Sequence, residues 1–158
     1  MKRILGAMLV IAVLTVIGAA TAQAADDRFV VHHGNQTVWD TRTNLMWAIK
    51  DNGSDISWAG AKSYCENYQA GGYRDWRLPT NDELASLYHA DKTFPAPCAG
   101  NFNIHIATDL IKLTCFAAWS SGMRGSDAAH YNFVYGQEFW YLQSHTYGMR
   151  ALPVRSGK

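Results

Sequence analysis

Three cysteines are the side chains of this chain with the clearest reactivity. Cys65, Cys98 and Cys115 make an odd number, so one thiol is left over when the other two pair. Cys98 and Cys115 flank an irregular segment, and a bridge between them would close a loop that has little helix or strand to hold it. Cys65 lies on the apolar face of a predicted helix, where a small buried side chain is favoured over a reactive thiol. We therefore predict a Cys98–Cys115 disulfide and a free, buried Cys65.

The histidines and carboxylates show no spacing that is typical of a metal or catalytic site. The six histidines include no His-x-x-x-His pair, and the acidic residues form no alternating calcium loop with a closing Glu. No Gly-x-Ser-x-Gly elbow is present. A carboxylate pair for glycoside hydrolysis stays open, but no two residues are singled out. Asp75 is expected to form a structural ion pair or to cap its corner. We predict no metal, no cofactor and no catalytic residue.

Aromatic residues near the end of the chain offer a binding surface instead. The segment Phe139–Leu142 would place a large ring on each face of a strand, close to Gln143 and His145. A ring presents a flat apolar face, and an amide or imidazole adds directed hydrogen bonds, which together suit a sugar or a peptide. Our hypothesis is a ligand surface formed by Trp140, Tyr141, Gln143 and His145. The alternative is that both rings fill the core beneath the disulfide-closed loop.

Short strands and two helices must position these residues. Ser57 is a candidate N-cap for a helix that runs to about Ala70, and Thr80 with Glu83 has the spacing of a capping box that begins a second helix. Between them, Trp76 and Leu78 alternate across a short extended segment, so they are expected to share a buried face. Trp119 is also expected in the core. The strands that we predict are Phe29–Val31, Thr37–Trp39, Leu45–Ile49, Tyr131–Tyr135, Phe139–Leu142 and Tyr147–Val154.

The first 24 residues have the order of a secretory signal peptide. Lys2 and Arg3 precede a long apolar run, which ends in the small-x-small triplet 22–24. Cleavage there would leave residues 25–158 as one domain, with 12 basic and 13 acidic residues. A near-neutral charge gives no electrostatic reason to expect nucleic acid or an acidic membrane surface as a partner. An uncleaved membrane anchor is the alternative. We expect a periplasmic or secreted protein that does not contact the membrane after cleavage.

Five motifs, in order, resemble a known bacterial family. The most specific is GYRDWRLPTNDEL at 72–84, and the others are VWDTRTNLMWA at 38–48, SWAGAKSYC at 57–65, WSS at 119–121 and ALPVR at 151–155. Together they are similar to the Lcl C-terminal domain family of mostly exported domains. The resemblance implies a C-type-lectin-like fold, related in shape to the formylglycine-generating enzyme domain. The sugar-binding triplets of calcium-dependent lectins are absent from this sequence, and no pair of cysteines matches the enzyme's active-site pair.

The order of the predicted elements indicates an α+β domain in which two helices pack on short, mostly antiparallel strands, and the resemblance implies that this single domain is C-type-lectin-like. The functional hypothesis is an exported binding or adhesion module that recognises a glycan, peptide or protein partner without calcium. One alternative is a cell-envelope enzyme on a fold like that of the formylglycine-generating enzyme. The other is a structural or assembly subunit that docks through its sheet.

Overall fold

The computed structural model describes residues 28–157, apart from 33, 35, 99 and 101. The predicted signal peptide and its cleavage point lie outside the described residues. Two four-stranded sheets, one two-stranded ribbon and two helices make up the described chain, which confirms the α+β class. No helix within this described part is long and apolar enough to cross a membrane.

The first sheet joins the two ends of the described chain. Strands β1 (Phe29–His32), β2 (Thr37–Asp40) and β3 (Leu45–Ala48) form an antiparallel meander, close to the predicted bounds. The turn between β2 and β3 places Asn44 at a φ of 52°, which asparagine tolerates better than most residues. The last strand of the chain, β10 (Val154–Ser156), then pairs with β3.

Helix α1 (Trp58–Glu66) begins where the sequence predicts but ends earlier than the predicted Ala70. The Ser57 hydroxyl accepts a hydrogen bond from the N–H of Gly60, which is the expected N-cap. At the other end, the Asn67 side chain donates to the Ser63 carbonyl, and its backbone N–H also bonds into the last turn. These bonds satisfy carbonyls that a longer helix would have used, so the chain leaves the helix at Asn67.

Helix α2 (Asn81–Ser86) begins at the predicted capping box. The Thr80 side chain accepts a bond from the Glu83 N–H, and the Glu83 carboxylate accepts one from the Thr80 N–H. Leu84 and Leu87 are fully buried on its inner face. After α2, the segment predicted to be irregular contains a ribbon of β4 (Phe94–Ala96) and β5 (Phe102–Ile104).

The second sheet has the order β8-β7-β6-β9 and differs most from the prediction. It contains β6 (Ala117–Arg124), β7 (Asp127–Asn132), β8 (Gln137–Leu142) and β9 (Met149–Arg150). The predicted strand Tyr131–Tyr135 is displaced because the Asn132 side chain accepts bonds from the two N–H groups of Val134 and Tyr135 and turns the chain. Tyr135 therefore lies outside the strand and is 65% exposed, so the predicted strand ends three residues too late.

The predicted strand Tyr147–Val154 is two strands in two sheets. β9 pairs in parallel with β6 of the second sheet, whereas β10 pairs with β3 of the first. The residues between them, 151–153, end in a proline that has no N–H for a ladder, so the chain can pass from one sheet to the other there. One apolar run thus joins the two halves of the core.

The predicted cysteine states are confirmed. Cys98 and Cys115 form a disulfide with a Cα–Cα distance of 5.1 Å, while Cys65 is free and buried. Burial raises the pKa of the Cys65 thiol to about 12, so it stays protonated. A structural disulfide is typical of proteins from an oxidising compartment.

The core confirms that Trp76, Leu78 and Trp119 are buried, with exposed fractions of 4% or less. Leu78 and Trp119 share one cluster with the inner face of α1. Trp76 belongs to another cluster, with Met46 and Ala70. Trp76 and Leu78 are therefore both buried, as expected, but they do not pack in one cluster. Arg77 between them pairs with Val154 of β10.

Candidate functional site

Strand β8 is the outer strand of the second sheet, and it carries two of the predicted ligand-binding residues. Its register pairs Tyr141 with Ala128 and Trp140 with Ala129 on β7. Because side chains alternate along a strand, Tyr141 and Trp140 lie on opposite faces of the sheet. The four predicted residues therefore do not form one continuous surface.

Trp140 lies on the face of the sheet that also packs against α2. Gly122 of β6 leaves room for it, since a Cβ at that position would lie 3.5 Å from the Trp140 ring and 3.2 Å from the Ala129 Cβ. The Arg124 guanidinium stands over the ring, 4.3 Å from its centroid. The indole N–H donates to Glu138 on the same face. Trp140 is thus half-buried and fixed in orientation by a cation on one side and small residues on the other.

Tyr141 lies on the opposite face and remains 46% exposed. Its ring centroid is 4.8 Å from that of His130 and 4.8 Å from that of His145, with the His145 ring set edge-on at 63°. His130 in turn stacks on Phe139 and meets Trp119 edge-on. These side chains form a row from the buried Trp119 to the exposed Tyr141 and His145, which we call the aromatic row.

A shallow pocket of about 270 Å³ opens at the exposed end of the aromatic row. It is lined by Tyr141, Leu142, Ser144 and His145. The His145 ring is held by its Nε2, which lies 3.2 Å from the Tyr147 carbonyl oxygen. The pocket thus combines a ring, an aliphatic side chain, a hydroxyl and an imidazole, which is enough to contact one planar or ring-shaped group.

Gln143 lies near the pocket, but its polar groups hold the fold. Its side-chain N–H donates to the Gly125 carbonyl at 3.2 Å, across the hairpin that joins β6 and β7. Its backbone carbonyl accepts the N–H of Trp58, the first residue of α1. Gln143 therefore fixes the β8 end against α1 and the hairpin, so that Tyr141 and His145 keep their positions.

His130 supports the row from beneath as a neutral ring. It is 2% exposed, and burial lowers its pKa to about 4, with a further contribution from His145. Its Nδ1 has no hydrogen-bond partner among the described residues. A neutral imidazole can stack on Phe139 and Tyr141 without the desolvation cost of a buried charge.

The comparison with family models decides what kind of domain carries this site. The model of the Lcl C-terminal domain matches residues 36–155, which run from just before β2 into β10 and include every residue of the predicted site. This chain belongs to the Lcl C-terminal domain family. The resemblance noted from the five motifs is thereby confirmed. No curated protein matches the chain.

This Lcl C-terminal domain has a second groove that the sequence did not indicate. It lies between α1, the corner before α2 and β6, has a volume of about 360 Å³, and includes Trp58, Leu78 and the exposed Met123. Met123 could have indicated this groove from the sequence, but only if β6 had been recognised as a strand. The charged side chains at its rim form two ion pairs, Lys62–Glu66 and Arg77–Glu83, each with a nitrogen–oxygen distance of 2.6 Å.

The Arg77–Glu83 pair also serves the corner of the Lcl domain. Burial alone would raise the pKa of Glu83, but the hydrogen bonds from Arg77 and from the Thr80 backbone outweigh it, so the pKa of Glu83 lies below its ordinary value. Glu83 therefore stays charged to cap α2 and anchor Arg77. We assign these groups to the stability of the corner.

Metal ligands do not converge anywhere in the described part of the chain. No three His, Cys, Asp or Glu side chains within residues 28–157, with their four gaps, are close enough to hold a metal ion. His130 and His145 each contact the Tyr141 ring, with centroid distances of 4.8 Å. The arrangement at β8 is one of ring faces and single hydrogen-bonding groups.

Proposed function

We propose that this Lcl C-terminal domain is an exported binding module that recognises a glycan, a peptide or a protein partner through the exposed end of the aromatic row, without calcium. One observation carries the proposal: Tyr141 is 46% exposed, contacts two histidine rings and lines a pocket. An exposed tyrosine whose ring is already held by its neighbours binds a ligand at little cost in side-chain entropy. Such a residue contributes more to binding than to folding.

Family membership supports a C-type-lectin-like fold for this α+β domain, in line with the resemblance of its motifs. Export to the periplasm or the medium is supported by the signal-peptide pattern and by the disulfide. N-terminal sequencing of the exported protein should then begin at Ala25, within a residue or two. An intact Met1 on the mature protein would contradict this part of the proposal.

Binding can be tested with the mature domain, residues 25–158, applied to a glycan array and a peptide array in the presence of a calcium chelator. We expect Tyr141→Ala to weaken binding at least about tenfold, since the loss of a ligand-facing ring is worth about 1.4 kcal/mol or more. Tyr135→Ala removes a more exposed tyrosine that does not line the pocket, and it should leave binding unchanged. Binding that survives Tyr141→Ala, or that needs calcium, would contradict the proposal.

A further inference from the structure

The outer edge of β8 is an unpaired row of main-chain groups. β8 pairs with β7 on one side, and no strand pairs with it on the other side in the part of the chain that the structure describes. The strand is six residues long, reads QEFWYL, and contains no lysine or proline. Natural edge strands are usually shortened, charged or covered. An aromatic edge of this length is therefore a template for another strand.

The register shows which groups point outward. The Gln143 N–H donates to the Ser126 carbonyl, so these two residues form a hydrogen-bonded pair. In an antiparallel ladder, hydrogen-bonded pairs alternate with pairs that are not hydrogen-bonded. The main-chain groups of Tyr141 therefore bond to β7, whereas those of its two neighbours in the strand point away from β7. The outward residues are Glu138, Trp140 and Leu142.

Five of the six outward main-chain groups have no partner within the described residues. The Leu142 carbonyl accepts the N–H of His145, but the other carbonyls and all three N–H groups of Glu138, Trp140 and Leu142 bond to no group there. A row of alternating donors and acceptors matches the backbone of an extended peptide. A sugar has no matching period, so the edge favours a peptide over a glycan.

The charge of Glu138 indicates which side chain such a peptide would carry. The Glu138 carboxylate is exposed and accepts hydrogen bonds from the neutral side chains of Asn81 and Trp140, and no cation of the described chain forms a salt bridge with it. In an added strand, the residue opposite Glu138 would lie on the same face as that carboxylate. A lysine or arginine there would complete an ion pair across the new ladder.

We infer that the free edge of β8 takes an extended peptide as an added strand, with a Lys or Arg of the peptide facing Glu138 and an apolar residue two positions away facing Trp140. The residue between them faces Phe139 and Tyr141 on the other side of the sheet. This inference rests on the proposed function, because it names the ligand class of the same surface. The main chain supplies affinity, and the two faces of β8 select the side chains.

The decisive experiment uses a displayed library of random ten-residue peptides and the mature domain, residues 25–158. Selection is compared with selection on Leu142→Pro, which removes one outward N–H at an exposed edge position where proline is tolerated. Leu142→Ala is the matched reference, because it trims the same pocket-lining side chain and keeps the N–H. Peptides should bind Leu142→Ala at least tenfold more tightly than Leu142→Pro. A peptide set that does not distinguish the two variants would overturn the inference.

Two further measurements remain decisive even if Leu142→Pro fails to fold. N-methylation of the backbone amides of the best synthetic peptide should abolish binding at every second position and be tolerated between them. Glu138→Lys should weaken the binding of the basic peptides at least tenfold, whereas Glu138→Gln should weaken their binding less. Strand addition would be overturned if the effect of N-methylation on binding had no period of two, or if Glu138→Lys left the binding of basic peptides unchanged.

The remaining outcomes separate this inference from the proposed function. Glycan binding that depends on Tyr141, with no peptide selected, would leave the proposed function standing and exclude the peptide. A mature domain that sediments as a dimer, and as a monomer after Leu142→Pro, would show that a second copy occupies the edge instead. A mature domain that binds no glycan and no peptide would contradict both the proposed function and this inference.

Discussion

Arg155 and Asp75 form a two-bond ion pair that ties the last strand to the corner before α2. The Arg155 Nε and Nη2 atoms donate to the two carboxylate oxygens at 2.7 and 3.0 Å. The Arg155 side chain is 2% exposed, and its guanidinium stands 3.7 Å from the centroid of the Tyr73 ring. The pair therefore joins two of the five family motifs, GYRDWRLPTNDEL and ALPVR, across 80 residues of sequence. Asp75 is thus a structural ion-pair partner, as the sequence indicated.

Replacing Asp75 should destabilise the domain without affecting the site on β8. Asp75→Ala leaves the buried Arg155 guanidinium without its anion, and we expect the free energy of unfolding to fall by about 2 kcal/mol. Water can reach the exposed Asp75 side of the pair, so the loss should stay below that of a fully buried pair. Urea titration gives the free energy of unfolding, with Asp91→Ala as an exposed control that should change it little. Equal stability of the two variants would show that Arg155 is held by packing alone.

Trp76 should be among the most sensitive positions of the core. It is 3% exposed, packs with Met46 and Ala70, and meets the Tyr68 ring edge-on at 5.1 Å. Trp76→Ala removes that volume from a cluster bounded by the first sheet, and it should cost about 3–5 kcal/mol in unfolding free energy. Tyr135→Ala is the control, because its ring is mostly exposed. An unchanged melting temperature for Trp76→Ala would mean that the core lies elsewhere.

Local signals predicted much of the fold. The capping box at Thr80, the N-cap at Ser57 and the three strands of the first meander each depend on a few neighbouring residues, and each lies where the sequence indicated. The loop-closing disulfide was also predictable from the cysteine positions. In each case the physical cause is local chain geometry, which a single sequence contains.

Long-range pairing explains what the sequence could not predict. The β6 strand was not predicted, because the motif at 119–121 does not by itself set the bounds of a strand, and the pairing with β7 extends β6 from Ala117 to Arg124. Alternation along β8 placed a ring on each face, but only the register with β7 shows that His130 lies beneath Tyr141. The second groove likewise depends on the approach of α1 to β6, which no local pattern encodes.

The thiol chemistry of the chain gives a direct count of its cysteine states. Native protein should not react with a thiol reagent near pH 8, because Cys65 is buried and its pKa is raised to about 12. Unfolding in guanidinium without a reductant should release one thiol, and prior reduction should release all three. Replacing both Cys98 and Cys115 by serine should lower the unfolding free energy by about 3 kcal/mol through the loss of loop closure. A native protein that reacts rapidly at Cys65 would contradict its burial.

Stability should depend on pH through His130. Burial, with a contribution from His145, holds the pKa of His130 at about 4 in the folded state, against about 6.5 for an unfolded histidine. Between these values the unfolded state binds more protons, so the contribution is fully present above about pH 6.5 and is lost as the pH falls toward 4. The full difference corresponds to about 3 kcal/mol.

The variant His130→Phe keeps a ring in the aromatic row but cannot titrate. The wild type should therefore lose more stability than His130→Phe between about pH 6.5 and 4, while other titrating groups cancel in the comparison. His89→Phe, at an exposed histidine, should follow the wild type. The measurement is the unfolding free energy from urea titrations across this pH range. Parallel curves for wild type and His130→Phe would show that the pKa of His130 is the same in the folded and unfolded states, which would contradict its burial as a neutral ring beneath Tyr141.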